Sequence, residues 1–384
     1  MEKRSLKIEN IPEFYPLKIS SKFTICGLPL YVDTYKTCSF GCIYCYVNYR
    51  TLMASKKFQI ANLKWMQNKL NSIYNKGIIK ENNFLDYLLR DRITWHWGAM
   101  SDPFQPIEGK LHITEKMVDI ANEYDISILF STKSDSFYGC HLNPNLHSFQ
   151  LSITNIENNR ILEPNVPDIN NRIKFFRKLK NRGFKVGVRL HPFIPGVAKI
   201  NIIDAFAEAD YFCFEGLKLI SENEQGKEYL LRKLNLKRSD FVGMGLLNLR
   251  PEIRMTLYKE FVEKLEDLNI PYSLADNDLH YISKSKCCCG EPLVKKSTDF
   301  NNTALFFRNK NYGLEDIEFW LKDYRNCEAF RLYSSNTQKD CKTCWDFFKR
   351  GFYDKRVVFS RKFMQGFNQE GKLKLPNIQL ELIQ

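Results

Sequence analysis

Between residues 92 and 276 the chain alternates strand-like and helix-like segments, and this alternation restricts the fold more than any other feature. "RITWHWG" (92–98), "DISILFST" (125–132), "SFQLSIT" (148–154), "FKVGVRLHP" (184–192) and "ADYFCFEG" (209–216) are rich in β-branched and aromatic residues and read as strands. Between them "HITEKMVDIANEY" (112–124), "PDINNRIKFFRKLKNRG" (167–183) and "NIIDAFAEA" (201–209) read as helices, the second stopped by a glycine. "PEIRMTLYKEFVEKLEDLN" (251–269) starts on a proline, keeps helical periodicity and leads into a further strand, "IPYSLAD" (270–276). Repeated strand–helix–strand units imply parallel strands, in an open sheet or a barrel.

Buried parallel strands usually read as continuous apolar runs, and these do not. At period two, His96, Gly98 and Met100 share a face, as do Ser131 and Lys133, Ser152 and Thr154, Arg189 and His191, and Tyr211, Cys213 and Glu215. If those faces turn inward, the fold has a polar lumen near the carboxyl ends of its strands, where such folds bind ligands.

"YKTCSFGCIYCYVNYR" (35–50) precedes the alternating region and holds Cys38, Cys42 and Cys45 on one short loop. The next cysteine downstream is Cys140. A tetrahedral structural zinc site needs four ligands, commonly in two close pairs, so zinc would be a ligand short here. Three thiolates on one loop instead suit three irons of a cubane iron–sulfur cluster and leave the fourth iron open. Gly41 lets the loop take a positive φ, and Tyr44 is placed to cover the cluster or a flat ligand beside it. S-adenosylmethionine offers an amino group and a carboxylate to such an open iron, and electron transfer into its sulfonium releases a 5′-deoxyadenosyl radical.

The C-x3-C-x-Y-C run resembles the signature of the radical S-adenosylmethionine superfamily. "CIYCYV", "GAMSDPFQPIE" (98–108), "STKS" (131–134), "LSIT" (151–154) and "EPNVPDINNRI" (163–173) extend the resemblance to the spore photoproduct lyase-like branch. It implies an α/β fold, a partial (β/α)6 TIM-like barrel over residues 22–280, behind a lead segment, 1–21. It implies that Cys38, Cys42 and Cys45 ligate a 4Fe-4S cluster, that Tyr44 and Tyr46 flank cluster and cofactor, and that Ser101, Lys133 and Ser152 contact S-adenosylmethionine. It also implies an electron donor of flavodoxin or ferredoxin type. One position departs from the branch. Its cysteine hydrogen donor immediately precedes the position of Ser101, where this chain has Met100, whose thioether has no S–H to give. Cys213 is the candidate replacement, with Cys140 as the other buried-type cysteine, and Cys213 and Tyr46 are the candidate catalytic residues.

From residue 281 the pattern changes into a small C-terminal cysteine-rich appendage (281–384). Cys288, Cys289, Cys327, Cys341 and Cys344 suit a second iron–sulfur cluster or zinc. The formal charge of +13 and the branch both favour a nucleic acid or nucleotide substrate, in repair or modification. Trp95, Trp97, Phe104 and Phe137 could stack a base, but each reads first as core. Two other readings stand beside this one: a peptide- or small-molecule-modifying radical enzyme that uses an auxiliary cluster, and a zinc-organised basic nucleic-acid-binding protein. No apolar run reaches transmembrane length, and "MEKRSLKIEN" has no apolar stretch behind its charges, so the expected location is the cytoplasm.

Overall fold

The computed structural model describes residues 11–20, 27–45, 47, 58–80, 83–157, 160–220, 224–243, 246–276, 279, 282–285 and 288–298. The chain divides into two units, one of residues 1–17, 31–67 and 95–295 and one of residues 18–30, 68–94 and 296–384. The first unit is built on β1 (Leu30–Val32), β2 (Trp95–Trp97), β3 (Ile128–Thr132), β4 (His147–Ser152), β5 (Lys185–Phe193), β6 (Tyr211–Gly216) and β7 (Tyr272–Leu274). These strands are parallel neighbours in sequence order, as a series of strand–helix–strand units requires. The helices that return the chain are α1 (Ile113–Asn122), α2 (Ile169–Asn181), α3 (Asn201–Ala205) and α4 (Pro251–Asp267).

Each helix end has a local cause. Asp168 caps α2 by accepting from the Asn170 amide at 2.9 Å, and Gly183 just beyond the helix has φ +81°. Pro251 opens α4, where its missing N–H costs nothing. Buried Glu108 receives the Thr114 and Glu115 amides of α1, each at 3.0 Å. The third helix is shorter than expected. At Phe206 the backbone leaves helical geometry (φ −126°) and the buried ring packs edge-on against Phe176, with centroids 5.1 Å apart.

Register sorts the strands into two faces. Trp97, Phe130 and Phe149 are paired across β2, β3 and β4, and Val188, Phe212 and Tyr272 across β5, β6 and β7; all are buried. The aromatic rings form a continuous run, with Trp97 to Phe130 at 5.3 Å and Phe130 to Phe149 at 5.5 Å between centroids. Trp97 satisfies its indole N–H on Thr34 Oγ1 at 2.9 Å. The other face carries Ser131 opposite Gln150, Ser152 opposite Arg189, Arg189 opposite Cys213 and Cys213 opposite Ser273. The alternation read from sequence is therefore one apolar and one polar face.

β2 is shorter than the expected strand because Arg92 is left-handed (φ 53°). Thr94 belongs to the second unit, where it exchanges hydrogen bonds with Lys296 at 2.9 and 3.0 Å. That unit also holds the helix Phe84–Arg90, whose Asp86 pairs with Lys69.

Gly98, just past β2, has φ +104°, and a Cβ there would lie 2.3 Å from the Ser131 carbonyl oxygen. Backbone cannot yield cheaply, so Gly98→Ala is expected to destabilise the protein by at least about 2 kcal/mol. Urea unfolding monitored by circular dichroism measures this.

Candidate cofactor site at the carboxyl ends of the strands

The cysteine loop is fastened from two sides. After β1, Asp33 accepts the Met100 and Ser101 amides at 2.8 and 3.2 Å and so fixes the turn after β2. Gln105 in that turn brackets the start of the loop, donating to Thr37 O and accepting from the Ser39 amide, both at 2.8 Å. From the other side, Leu162 O accepts the Ile43 amide at 3.0 Å and Asn165 Nδ2 donates to Ser39 O at 2.9 Å. Gly41 has the expected positive φ, +66°. Cys42 and Tyr44 are buried in an apolar cluster with Leu162, Ile194, Leu219 and Leu249, while Cys38 and Cys45 are half-buried against it.

Tyr44 closes a hydrogen-bond circuit. Its hydroxyl meets Thr154 Oγ1 at 3.0 Å and donates to Glu163. Lys133 Nζ donates to Glu163 Oε1 at 2.8 Å, to Thr154 Oγ1 at 3.0 Å and to Ser152 O at 3.3 Å. Arg172 of α2 also donates to Ser152 O and lies 4.0 Å from Glu163. The Lys133 amide and Thr132 hydroxyl both hold buried Asp102, at 2.7 Å each. Burial alone would raise the Glu163 carboxyl, but Lys133 and Arg172 override it and hold it near 2. Burial pushes the Cys42 thiol up to about 12, against the pull of Lys133, and raises Cys38 as well. These thiols are thus protonated at neutral pH unless a metal replaces the proton.

Lys133 stands at the end of β3, on the face the alternation assigns to it. Its ammonium already donates to three acceptors, so a cofactor carboxylate reaches it only by joining or replacing one of them. Ser152 lies half-buried on the polar face, opposite Arg189. Ser101 is buried, and its hydroxyl has no hydrogen-bond partner. Tyr46 lies outside the described residues. Three thiols on one loop, an unsatisfied hydroxyl, a fixed lysine and a largely apolar surround fit an iron–sulfur cluster with an amino-acid-bearing cofactor. Among the described residues no three His, Cys, Asp or Glu side chains converge on a single ion. A cluster whose irons each take one thiolate does not require such convergence.

Further along the polar face, His96 Nε2 meets Ser131 Oγ at 2.8 Å, and Ser131 donates to Gln150 Oε1 at 3.4 Å. Arg189 donates to the same oxygen at 3.3 Å and pairs with Glu215, which Lys218 also reaches at 2.5 Å. Burial lowers His96 to about 4, so it is neutral, and its Nε2 shares a hydrogen bond with the Ser131 hydroxyl. Cys213 is fully buried, accepts from Ser273 Oγ at 3.9 Å, and is pushed up to about 12 by burial against the pull of Arg189. It therefore keeps its proton at neutral pH. Tyr211 donates to Ser273 in turn. Cys140 is buried in the β3–β4 connection, where Glu108, Glu115 and Asp119 are its charged neighbours, and is not on this face. Trp95, Trp97 and Phe104 are fully buried core rather than stacking surfaces, and Phe137 packs against Phe175.

Of the described residues of the supposed appendage, 282–285 and 288–295 belong to the first unit and 296–298 to the second. Ser148 Oγ donates to Leu293 O at 2.5 Å, and Gly290 lies on the Tyr211 ring, which a Cβ would meet at 2.5 Å. Cys289 is buried and Cys288 half-buried; Cys327, Cys341 and Cys344 lie outside the described residues. Asp33, Gln105, Asp102 and Glu163 were not legible as site residues. Each is an ordinary polar side chain in a loop, and only its partners give it meaning.

The sheet resembles that of spore photoproduct lyase, the branch whose motifs the sequence resembles. A point mutant of that enzyme is 16% identical over 69% of this chain and 80% of its own, with a TM-score of 0.50. Another mutant of it, solved with bound AdoMet and dinucleoside spore photoproduct, is 17% identical over 68% and 81%, at 0.47. Streptococcus suis SuiB bound to S-adenosylmethionine is 13% identical over 66% and 52%, at 0.42. At these identities the likeness is one of fold. No protein-family model and no curated protein matches the chain. Among the described residues no helix is long and apolar enough to cross a membrane.

Proposed function

We propose that this chain is a radical S-adenosylmethionine enzyme whose sheet forms the partial barrel of that superfamily. The observation that carries the reading is the C-x3-C-x-Y-C loop, with Cys42 and Tyr44 buried and Tyr44 bound through Thr154 and Glu163 to Lys133 at the carboxyl ends of parallel strands. Cys38, Cys42 and Cys45 would hold three irons of a 4Fe-4S cluster. Ser101, Lys133 and Ser152, with Tyr44 and Tyr46, would line the S-adenosylmethionine site. When bound, the reduced cluster and the cofactor supply a 5′-deoxyadenosyl radical that abstracts hydrogen from a substrate. The protein's own part is exclusion of water by the cluster around Cys42 and Tyr44, and orientation by Lys133 and Ser101. A nucleic acid or nucleotide is the substrate that the net charge of +13 favours. An electron donor of flavodoxin or ferredoxin type would reduce the cluster.

Cys213, on β6, supports a hydrogen-donor role in place of Met100 in the turn after β2. It is protonated, and its sulfur accepts from Ser273, which leaves its S–H to point elsewhere. Cys213→Ser is expected to keep 5′-deoxyadenosine formation and to lose solvent-deuterium transfer into an oligonucleotide substrate, read by mass spectrometry. Retained transfer would remove Cys213 from the mechanism. The whole reading is tested by anaerobic reconstitution with iron and sulfide, then dithionite and S-adenosylmethionine. At least about four irons per chain and 5′-deoxyadenosine are expected, whereas a colourless protein without either would overturn it.

A further inference from the structure

We infer that Glu163 is a positioning residue that fixes the cysteine loop to the sheet and sets the charge beside Cys42, an inference that rests on the cluster reading above. Among the described residues it is the carboxylate that touches both sides of the site: Tyr44, between Cys42 and Cys45, and Lys133, at the end of β3. Thr154 closes the circuit from the end of β4, since it meets both the Tyr44 hydroxyl and the Lys133 ammonium. The four side chains come from four separate stretches of chain, so the circuit converts the positions of two strand ends into the position of the loop. Glu163 sits in the same stretch as Leu162 and Asn165, whose backbone and side chain also bind the loop. It is therefore held from behind as well as in front.

The electrostatic half of the role follows from charge counting. Glu163 faces two cations, Lys133 and Arg172, in a site largely shut off from water, where charges are weakly screened. Its carboxylate hydrogen-bonds Tyr44, two residues along the loop from Cys42, and so places a negative charge beside that ligand position. A cluster held by Cys42 gains an electron on reduction. An anion nearby disfavours that gain, so removing it moves the reduction potential to less negative values.

Glu163→Gln tests both halves, because it keeps the size and one acceptor oxygen while removing the charge. The reconstituted variant is expected to hold as much iron as the wild type. Its cluster is expected to have a less negative midpoint potential, and an altered electron paramagnetic resonance spectrum once S-adenosylmethionine is added. Its rate of 5′-deoxyadenosine formation per iron is expected to fall about tenfold, the typical loss when a partner one layer behind a ligand is changed. Tyr44→Phe, which breaks the loop's half of the circuit without changing charge, should alter the spectrum and leave the potential near that of the wild type. If Glu163→Gln matches the wild type in potential and spectrum, the role is overturned even where stability falls. If Glu163→Gln does not fold, an unaltered Tyr44→Phe spectrum overturns it instead. A wild type that takes up no iron fails the cluster reading itself, a distinct result, and removes this role with it.

Discussion

Replacing Cys38, Cys42 and Cys45 with alanine is expected to abolish 5′-deoxyadenosine formation and to remove about four irons per chain after anaerobic reconstitution. Cys42 lies in an apolar cluster with Leu162, Ile194 and Leu219, and Cys38 and Cys45 pack against it. Burial raises the Cys38 and Cys42 thiols, so they are poor nucleophiles at neutral pH and are deprotonated when a metal binds. Iron content separates the outcomes. A wild type with about eight irons and a variant with four would place a second cluster among the remaining cysteines, and a wild type with four falling to none would leave the C-terminal cysteines to zinc or packing. Equal iron in both would overturn the assignment of the loop. Since Cys42 and Tyr44 share the apolar cluster, circular dichroism must show that the variant is folded.

The second large effect is expected at Lys133. In Lys133→Met the Glu163 carboxylate loses its nearest cation while staying buried, and its pKa rises because burial is no longer overridden. Breaking a buried pair by removing one partner costs about 3–5 kcal/mol. That gap should be visible in urea unfolding of the metal-free protein at neutral pH. The sign with pH is fixed. In the wild type the Glu163 pKa lies below the ordinary carboxylate range, so its stabilisation is present above that range and is lost only as pH falls towards about 2. In the variant Glu163 protonates earlier and the penalty disappears, so the gap should narrow as the pH is lowered from 7 to about 3. S-adenosylmethionine affinity, measured by isothermal titration on the reconstituted protein, is expected to fall at least about tenfold, the loss of one charge-assisted hydrogen bond. Unchanged affinity would show that Lys133 serves the Glu163 circuit alone.

Local rules set much of this protein. The strand–helix alternation of residues 92–276 fixed a parallel sheet, because each helix returns the chain to the same edge and β-branched and aromatic runs suit pleated backbone. Period two separated the polar face, with Ser131, Ser152, Arg189 and Cys213, from the aromatic one, because side chains alternate along any strand. The spacing of Cys38, Cys42 and Cys45, and the positive φ of Gly41, were also readable, since they depend only on residues next to one another. Tertiary structure alone decided the rest. Glu163 lies over a hundred positions from Tyr44 and thirty from Lys133, and a loop glutamate acquires a role only when packing brings its partners to it. Gln105, Asp33 and Asp102 are the same case: their bonds to Ser39, Met100 and Thr132 join stretches that no local pattern connects. The shift of Glu163 to near 2 is wholly tertiary, because burial and the two cations that outweigh it are properties of the folded site.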